Sequence, residues 1–467
     1  MSLWKTIIMN LPEVQSPTQK RLSFKEKLKW TGIILILFYI LGLLPLFGLG
    51  DNALQQFEFL SIILGASFGS IISLGIGPIV TASIVLQLLN GSGIIKFDLT
   101  THEGKRNFQA TQKMLAFFFI FFEAIIYIMM GGLSPIPGIS PWLLIFQLCL
   151  GGILIMFMDE VVSKWGFGSG VSLFIAAGVS QSVFIRALSP LPSPTNPSIA
   201  TGAIPALFQS LAAGDPITAM LMFGAVAATI LVFVMAVYGQ AMKIEIPLSF
   251  GRIRGHGMRW PLNFMYTGVI PIILVSALMA NIQLWATLMQ NRAATSTSGV
   301  LNFFSVYIFG QTQSAEAGHG LIQWVNAPNI VGNAITGSLS FYDISHGLGY
   351  MVIMMAGATL FSWFWVQTAG MDAKSQAKQI MSSGLQIPGF RKDQRVLERL
   401  LNRYIKPLTI MGGITIGFLS SIADLTGALS NGTGILLTVM VIYKLYEEIA
   451  KQHMVDMHPM MRKFMHV

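Results

Sequence analysis

Glu123 sits in the middle of the apolar run Phe117 to Met130. A carboxyl group inside such a run is costly without partners, so an ionisable residue there marks a functional site by default. Thr81 and Asn281, on other apolar stretches, are candidate partners. The remaining reactive side chains are poorly arranged for catalysis. Asp159 and Glu160 are adjacent, as an acid/base pair would be, but Lys164 follows four or five residues on, and the group reads as a structural ion pair at a helix edge. The histidines (His102, His256, His319, His346, His453, His458 and His466) are scattered without ligand spacing, and neither an HExxH motif nor paired CxxC motifs occur, so no metal is expected. Gly166-Phe-Gly-Ser-Gly170 has the glycines of a phosphate cradle but no strand before it and no Gly-Lys-Ser/Thr element, which argues against a nucleotide-driven motor or pump. The single cysteine, Cys149, lies inside the run Leu143 to Met158 and reads as a small packing residue. No cofactor and no enzymatic activity are expected.

The elements around these residues are set by where the charges fall. Charged residues make up 10% of the 467, against about a quarter in a soluble globular chain, and 53% are hydrophobic. Of 29 Lys and Arg, 27 fall in six segments that alternate with apolar stretches, leaving Arg186 and Arg292 elsewhere. Membrane proteins keep such cations on the cytoplasmic side, so the pattern predicts a polytopic chain with both termini in the cytosol. At roughly 20 residues per crossing, spans are expected near 31–49, 72–90, 114–131, 142–158, 171–188, 218–239, 262–285, 347–368, 407–422 and 434–449. Thr31 to Leu44 has the makings of a signal peptide, but the long polar segment before it and the spans after it favour a retained first helix.

Phe57 to Gly75 is apolar but too short to cross, and reads equally as a re-entrant half-helix or an interfacial helix. The linkers 239–261 and 369–406 are long, basic and on one side, which makes them candidate docking loops. The outer segments 190–216 and 286–346 are rich in turn-forming residues. Two five-span halves, 31–188 and 218–449, would face opposite ways, with 1–30 and 450–467 as cytosolic ends and 189–217 as an external hinge. Faint rhymes support them: Gly75-Ile-Gly-Pro78 with Gly268-Val-Ile-Pro271, and Gly168-Ser-Gly-Val171 with Gly432-Thr-Gly-Ile435. Inverted repeats place broken helices at such points. Ile76 and Val80 share a helical face, as do Val171 and Ile175; spacing alone favours ordinary packing or lipid contact for all four.

Ser73-Leu-Gly-Ile-Gly-Pro-Ile-Val-Thr-Ala-Ser-Ile-Val-Leu-Gln-Leu-Leu89 resembles the first signature of the SecY protein-translocation channel family, and Asp159-Glu160 through Ser172-Leu-Phe-Ile-Ala-Ala-Gly178 resembles the second. Ile244-Glu-Ile-Pro-Leu248, Gly251-Arg-Ile-Arg-Gly255, Ala280-Asn-Ile-Gln-Leu284, Gly389-Phe-Arg-Lys392 and Gly432-Thr-Gly434 agree, and the archaeal members are most similar. The external segment 286–346 departs from the pattern. The resemblance implies an all-α membrane protein with ten helices in two inverted halves, forming a clamshell around an hourglass pore. It implies a pore ring of Ile76, Val80, Val171, Ile175, Ile273 and Leu437. A plug at about residues 57–69 would hold Phe57, Phe59, Leu60, Ile63, Leu64, Gly65, Phe68 and Gly69. Thr81, Glu123 and Asn281 would form the polar cluster of a lateral gate, and Arg252, Arg254, Arg391 and Lys392 would meet the ribosome.

The expected function is to conduct unfolded polypeptide across the cell membrane and release apolar segments sideways into lipid. The implied partners are a SecE (gamma) subunit, a small beta or SecG-type subunit, the ribosome, and the nascent polypeptide with its signal sequence. A secondary transporter is the alternative. It would require a polar midplane site, whereas the candidate waist is aliphatic.

Overall fold

The computed structural model describes residues 11–19, 22–52, 66–92, 94–95, 97, 101–192, 199–250, 257–295, 320–382, 385–386, 393–430 and 432–457. The N-terminal half holds α1 (Phe24–Leu43), β1 (Leu49–Asn52), α2 (Gly77–Gly91), α3 (His102–Met129), β2 (Leu133–Pro135), α4 (Pro141–Trp165) and α5 (Gly170–Leu188). A short helix, α6 (Ala203–Ala213), precedes α7 (Pro216–Ala241). Then come β3 (Lys243–Phe250), β4 (Gly257–Asn263), α8 (Ile270–Thr295), α9 (Leu321–Val325), α10 (Ile330–Thr336), α11 (Phe341–Thr368), α12 (Ala373–Ser382), β5 (Leu385–Gln386), α13 (Gln394–Leu425) and α14 (Gly432–Met457).

Each of the ten expected spans coincides with one of the long helices α1 to α5, α7, α8, α11, α13 and α14. Among the described residues, seven helices are long and apolar enough to cross a membrane by length and composition. The other three of the ten depart for visible reasons. Lys25, Glu26, Lys27 and Lys29 crowd the start of α1, Lys444, Glu447 and Glu448 interrupt α14, and α2 has only 15 residues because it begins at depth. Helix starts carry the expected chemistry. Ser23 and Ser340 form capping boxes with Glu26 and Asp343, and Asp215 accepts from Ile217 and Thr218 ahead of α7.

Three segments differ from the expectation. The seventh span starts at Ile270, not 262, because Lys243 to Asn263 pairs as an antiparallel hairpin and Gly268, with φ 65°, turns the chain into α8. The linker 369–406 is mostly regular structure: α12, then β5, which pairs with β3 through Ser249↔Gln386 and Phe250↔Leu385, then the first turns of α13. The outer segment 286–346 begins as a continuation of α8 and closes with α9, α10 and the first residues of α11. One connected apolar cluster joins side chains from both halves, including Ile76, Phe174, Ile273, Met354, Ile416 and Leu437.

Candidate functional site

The chain between β1 and α2 is non-helical from Ala66 to Ile76 yet largely enclosed by protein. Its polar groups are satisfied internally, as backbone at membrane depth must be. Leu46 N–H donates to Gly69 O at 2.9 Å, Ile71 N–H to Leu44 O at 3.0 Å, and Gly69 N–H to Ser73 Oγ at 2.9 Å. Gly75, with φ 55°, supplies the left-handed turn from which α2 starts, and Pro78 occupies its first turn. Ile76 therefore sits just ahead of the helix, and its carbonyl accepts from Val80 N–H at 3.1 Å.

The structure brings all six ring candidates into one apolar cluster. Ile76, Val80, Ile175, Ile273 and Leu437 are buried in it, and Val171 packs against it half-buried. They come from both halves: the start of α2, α5, α8 and α14. Val80, Val171 and Ile273 also line a cavity of about 360 Å³. Its other walls come from the helix ends facing the basic segments, among them Lys105, Gln109, Gln112, Asp159 and Thr368. The site is thus a vestibule, open toward the basic face and floored by aliphatic side chains.

Glu123, on α3, is 1% exposed. Thr81 Oγ1 lies 3.1 Å from Glu123 Oε1, accepts from Asn281 Nδ2 at 2.9 Å, and lies 2.8 Å from Gly77 O. The cluster joins α2 and α3 of one half to α8 of the other. Among the described residues, Glu123 Oε2 and Asn281 Oδ1 are buried without a hydrogen-bond partner. The network is thus tied at one hydroxyl and incomplete at its edges.

The reading of Asp159, Glu160 and Lys164 as one ion pair is corrected. Asp159 Oδ1 accepts from Val171 N–H at 2.9 Å, capping α5. Glu160 pairs with Lys113 at 2.6 Å, and Lys164 pairs with Glu13. Sequence proximity favoured Lys164, but a helix start and the N-terminal segment supply nearer partners. Gln87 and the Gln112 Nε2 to Ser83 Oγ bond of 2.6 Å, on the vestibule wall, were not singled out from the sequence. Ser83 and Gln87 follow Ile79 at successive four-residue steps on α2, and that shared face was the available signal; Gln112, on α3, gave none.

Of the plug candidates, Phe68 packs against a second apolar cluster that includes Leu74, Ile120 and Leu144, and Gly69 makes the bonds given above. Phe57, Phe59, Leu60, Ile63, Leu64 and Gly65 lie outside the described residues, as do Arg252, Arg254, Arg391 and Lys392. Among the described residues no cluster of His, Cys, Asp or Glu could hold a metal ion.

The SecY family model matches residues 70–446. The protein translocase subunit SecY of Methanothermobacter thermautotrophicus is 45% identical over 459 residues, covering 97% of this chain and 96% of that protein. The subunit of the same name from Pyrococcus furiosus is 40% identical over 475 residues, covering 97% and 96%. A solved protein-conducting channel superposes with a TM-score of 0.81 at 38% identity, over 97% of this chain and 98% of that one. Sec61 in the canine ribosome–channel complex superposes with a TM-score of 0.78 at 38% identity, again over 97% and 98%.

Proposed function

Because the chain belongs to the SecY family, we propose that its two halves enclose a polypeptide-conducting pore whose waist is the ring Ile76, Val80, Val171, Ile175, Ile273 and Leu437. The protein is a multi-pass membrane protein with the ten-helix clamshell fold and acts as a protein-translocation channel subunit. The observation that carries the proposed waist is the convergence of six aliphatic side chains, from four helices of both halves, beneath a vestibule with polar walls. Such a waist offers a permeating ion nothing to replace its hydration shell. An extended chain of mixed side chains can pass between deformable aliphatics.

The halves are 31–188 and 218–449, with 189–217 as the hinge between them. Thr81, Glu123 and Asn281 close the seam on the lipid side, and its opening releases apolar segments sideways. Residues 57–69 are the plug; a related structure concerns a SecY plug domain that stabilises the closed state and maintains a membrane seal. The basic face is cytosolic and the membrane is the cell membrane, following the charge partition. The ribosome docks there, in keeping with the ribosome-bound relative. Only 11% of the apolar window of α7 is buried, and Phe223, Ile230, Leu231 and Val234 line a shallow apolar groove along it. That face suits a single apolar helix from a SecE-type subunit; a small beta or SecG-type subunit completes the complex.

A photoreactive side chain at Ile76 or Ile273 should crosslink a stalled nascent chain, and one at Phe223, on the outward face of α7, should not. Changing Ile76, Val80 and Ile273 together to Ser should raise ion conductance in planar bilayers, because hydroxyls let water wet the constriction. A stalled chain that crosslinks at Phe223 and not at the ring would place the pore elsewhere.

A further inference from the structure

Ahead of α1, residues 11–15 lie across the basic-face ends of α3 and α4, held mainly by their backbone. Val14 N–H donates to Glu160 at 3.0 Å, Lys113 Nζ donates to Pro12 O at 2.5 Å, Lys164 Nζ to Val14 O at 2.6 Å, and Trp165 Nε1 to Gln15 O at 2.9 Å. One side chain of the strap joins in, Glu13 pairing with Lys164. Glu160, Lys164 and Trp165 all belong to the last turns of α4. Lys113 belongs to α3, and the same ammonium pairs with Glu160 and stands 5.6 Å from the centre of the Phe157 ring. The two partners' side chains are 14% and 20% exposed, so this pair is less screened than a surface one. Lys113 is thereby the knot between strap, α3 and α4.

Beside the strap is a cavity of about 540 Å³, bounded by Leu11 and Glu13 on one side and by Arg106 and Lys113 on another. It shares Ile79, Gln109, Gln112 and Asp159 with the vestibule above the ring. The strap is therefore a side wall of the path into the waist. A wall held through carbonyls and an N–H is replaceable by any extended peptide presenting the same groups, because those groups do not depend on sequence.

We propose that residues 11–15 are a displaceable latch on α3. Docked, they fix α3 against α4 through Lys113 and keep the seam between the halves shut. An extended polypeptide entering the vestibule competes for Glu160, Lys164 and Trp165, and the strap's departure frees α3 to move with α2. This rests on the reading of the Thr81–Glu123–Asn281 seam as a gate.

The test uses the reconstituted complex with two alterations, deletion of residues 1–17 and Lys113→Met. Lys113→Met cuts the tie to α3 while sparing the strap's contacts to α4; Lys113→Arg serves as the conservative control. The first readout is hydrogen exchange over Glu103 to Leu115, expected to quicken at least about threefold in both alterations and to be restored by Arg. The second is crosslinking between cysteines at Gly91 and Phe364, which face each other across α2 and α11. Its yield should fall in both alterations, and in the unaltered latch should fall only when a stalled signal-bearing chain is present. In that stalled state residues 11–15 should also lose exchange protection. Unchanged exchange over Glu103 to Leu115 in both alterations, or a strap that keeps its protection with a chain engaged, overturns the latch. Crosslinking that ignores the stalled chain in every variant overturns the gate reading instead, and exchange then judges the latch alone.

Discussion

The proposed seam is tied at one hydroxyl, that of Thr81: both Glu123 and Asn281 reach it, at 3.1 and 2.9 Å. Thr81→Val keeps the shape and removes the hydroxyl. Side-chain hydrogen bonds between membrane helices average about 0.6 kcal/mol and reach about 1.7, so losing two favours the open seam by about 1 to 3 kcal/mol. Export of a reporter with a weakened signal should rise about fivefold or more; unchanged export would mean the cluster does not hold the seam. The strap carries a titratable residue, Glu13. Hydrogen bonding and charge from Lys164, with Lys113 and Arg106 adding, hold its carboxyl below its ordinary value of 4.5 against the opposing effect of burial. A carboxyl whose value is depressed on docking stabilises the docked strap at pH above its free value and ceases to as pH falls through the docked one. Glu103, Asp159 and Glu160 line the same cavity and face the strap with it. A fluorophore at Ser16 should report release below about pH 4.5, and Glu13→Gln should leave the strap looser at neutral pH with less further change in acid.

At the scale of elements, the two halves share a device. Asp159 at the end of α4 accepts from Val171 N–H at 2.9 Å, and Asp424 at the end of α13 accepts from Thr433 N–H at 3.0 Å. A carboxylate at a helix start satisfies free N–H groups and meets the positive end of the helix dipole. A side chain on Gly170 would come 2.6 Å from Asp159 Cα, and one on Gly432 would come 2.0 Å from the carbonyl carbon of Ala423, so both helices begin pressed against the helix before. Asp424 carries more, since Tyr350 OH donates to its other oxygen at 2.8 Å and the Thr433 hydroxyl also reaches it. Asp159→Ala should cost about 1 kcal/mol of stability. Asp424→Ala should cost about 2 to 3, because it also strands the Tyr350 hydroxyl. Thermal unfolding in detergent should rank them in that order, and an equal loss would mean that the Tyr350 contact contributes nothing.

These caps also mark what the sequence concealed. They pair Gly170 with Gly432 and Val171 with Thr433, two positions away from the Gly168–Gly432 rhyme, because a Gly-x-Gly-x-Gly string matches itself when slid by two. The helices themselves were legible, since a crossing demands an uninterrupted apolar length that few other elements need. The β4–β3–β5 sheet was not, because β5 is two residues long and finds its partner Ser249 more than a hundred positions away. The same distance hid the partners of Glu160 and Lys164: the strap lies about 150 residues before them in sequence. The proposed ring residues stood out only through their motifs. Their spacing is that of any buried aliphatic, and convergence is a property of the folded chain.

For the whole molecule, the question is whether the basic face is only an orienting device. The positive-inside bias alone explains 27 cations on one side. It does not require that two basic loops be rooted in a common structure, yet β3 and β5, which precede the segments bearing Arg252 and Arg254 and Arg391 and Lys392, pair in one sheet. Pairing costs chain entropy, and it roots both segments in one sheet, as the proposed docking of a large polyanion such as ribosomal RNA would require. If these four cations each neutralise a phosphate, binding should fall with salt on a logarithmic slope of about −3, or roughly 50-fold between 50 and 200 mM. Replacing all four with Glu should abolish ribosome binding in detergent while leaving the membrane orientation intact, since most of the remaining cations still mark the same side. The orientation is read by labelling cysteines at Thr426 from outside and at Ser382 from inside. Binding that survives the replacement, or that shows no steep salt dependence, would assign the four cations to topology alone and leave the sheet as a brace between α7 and α13.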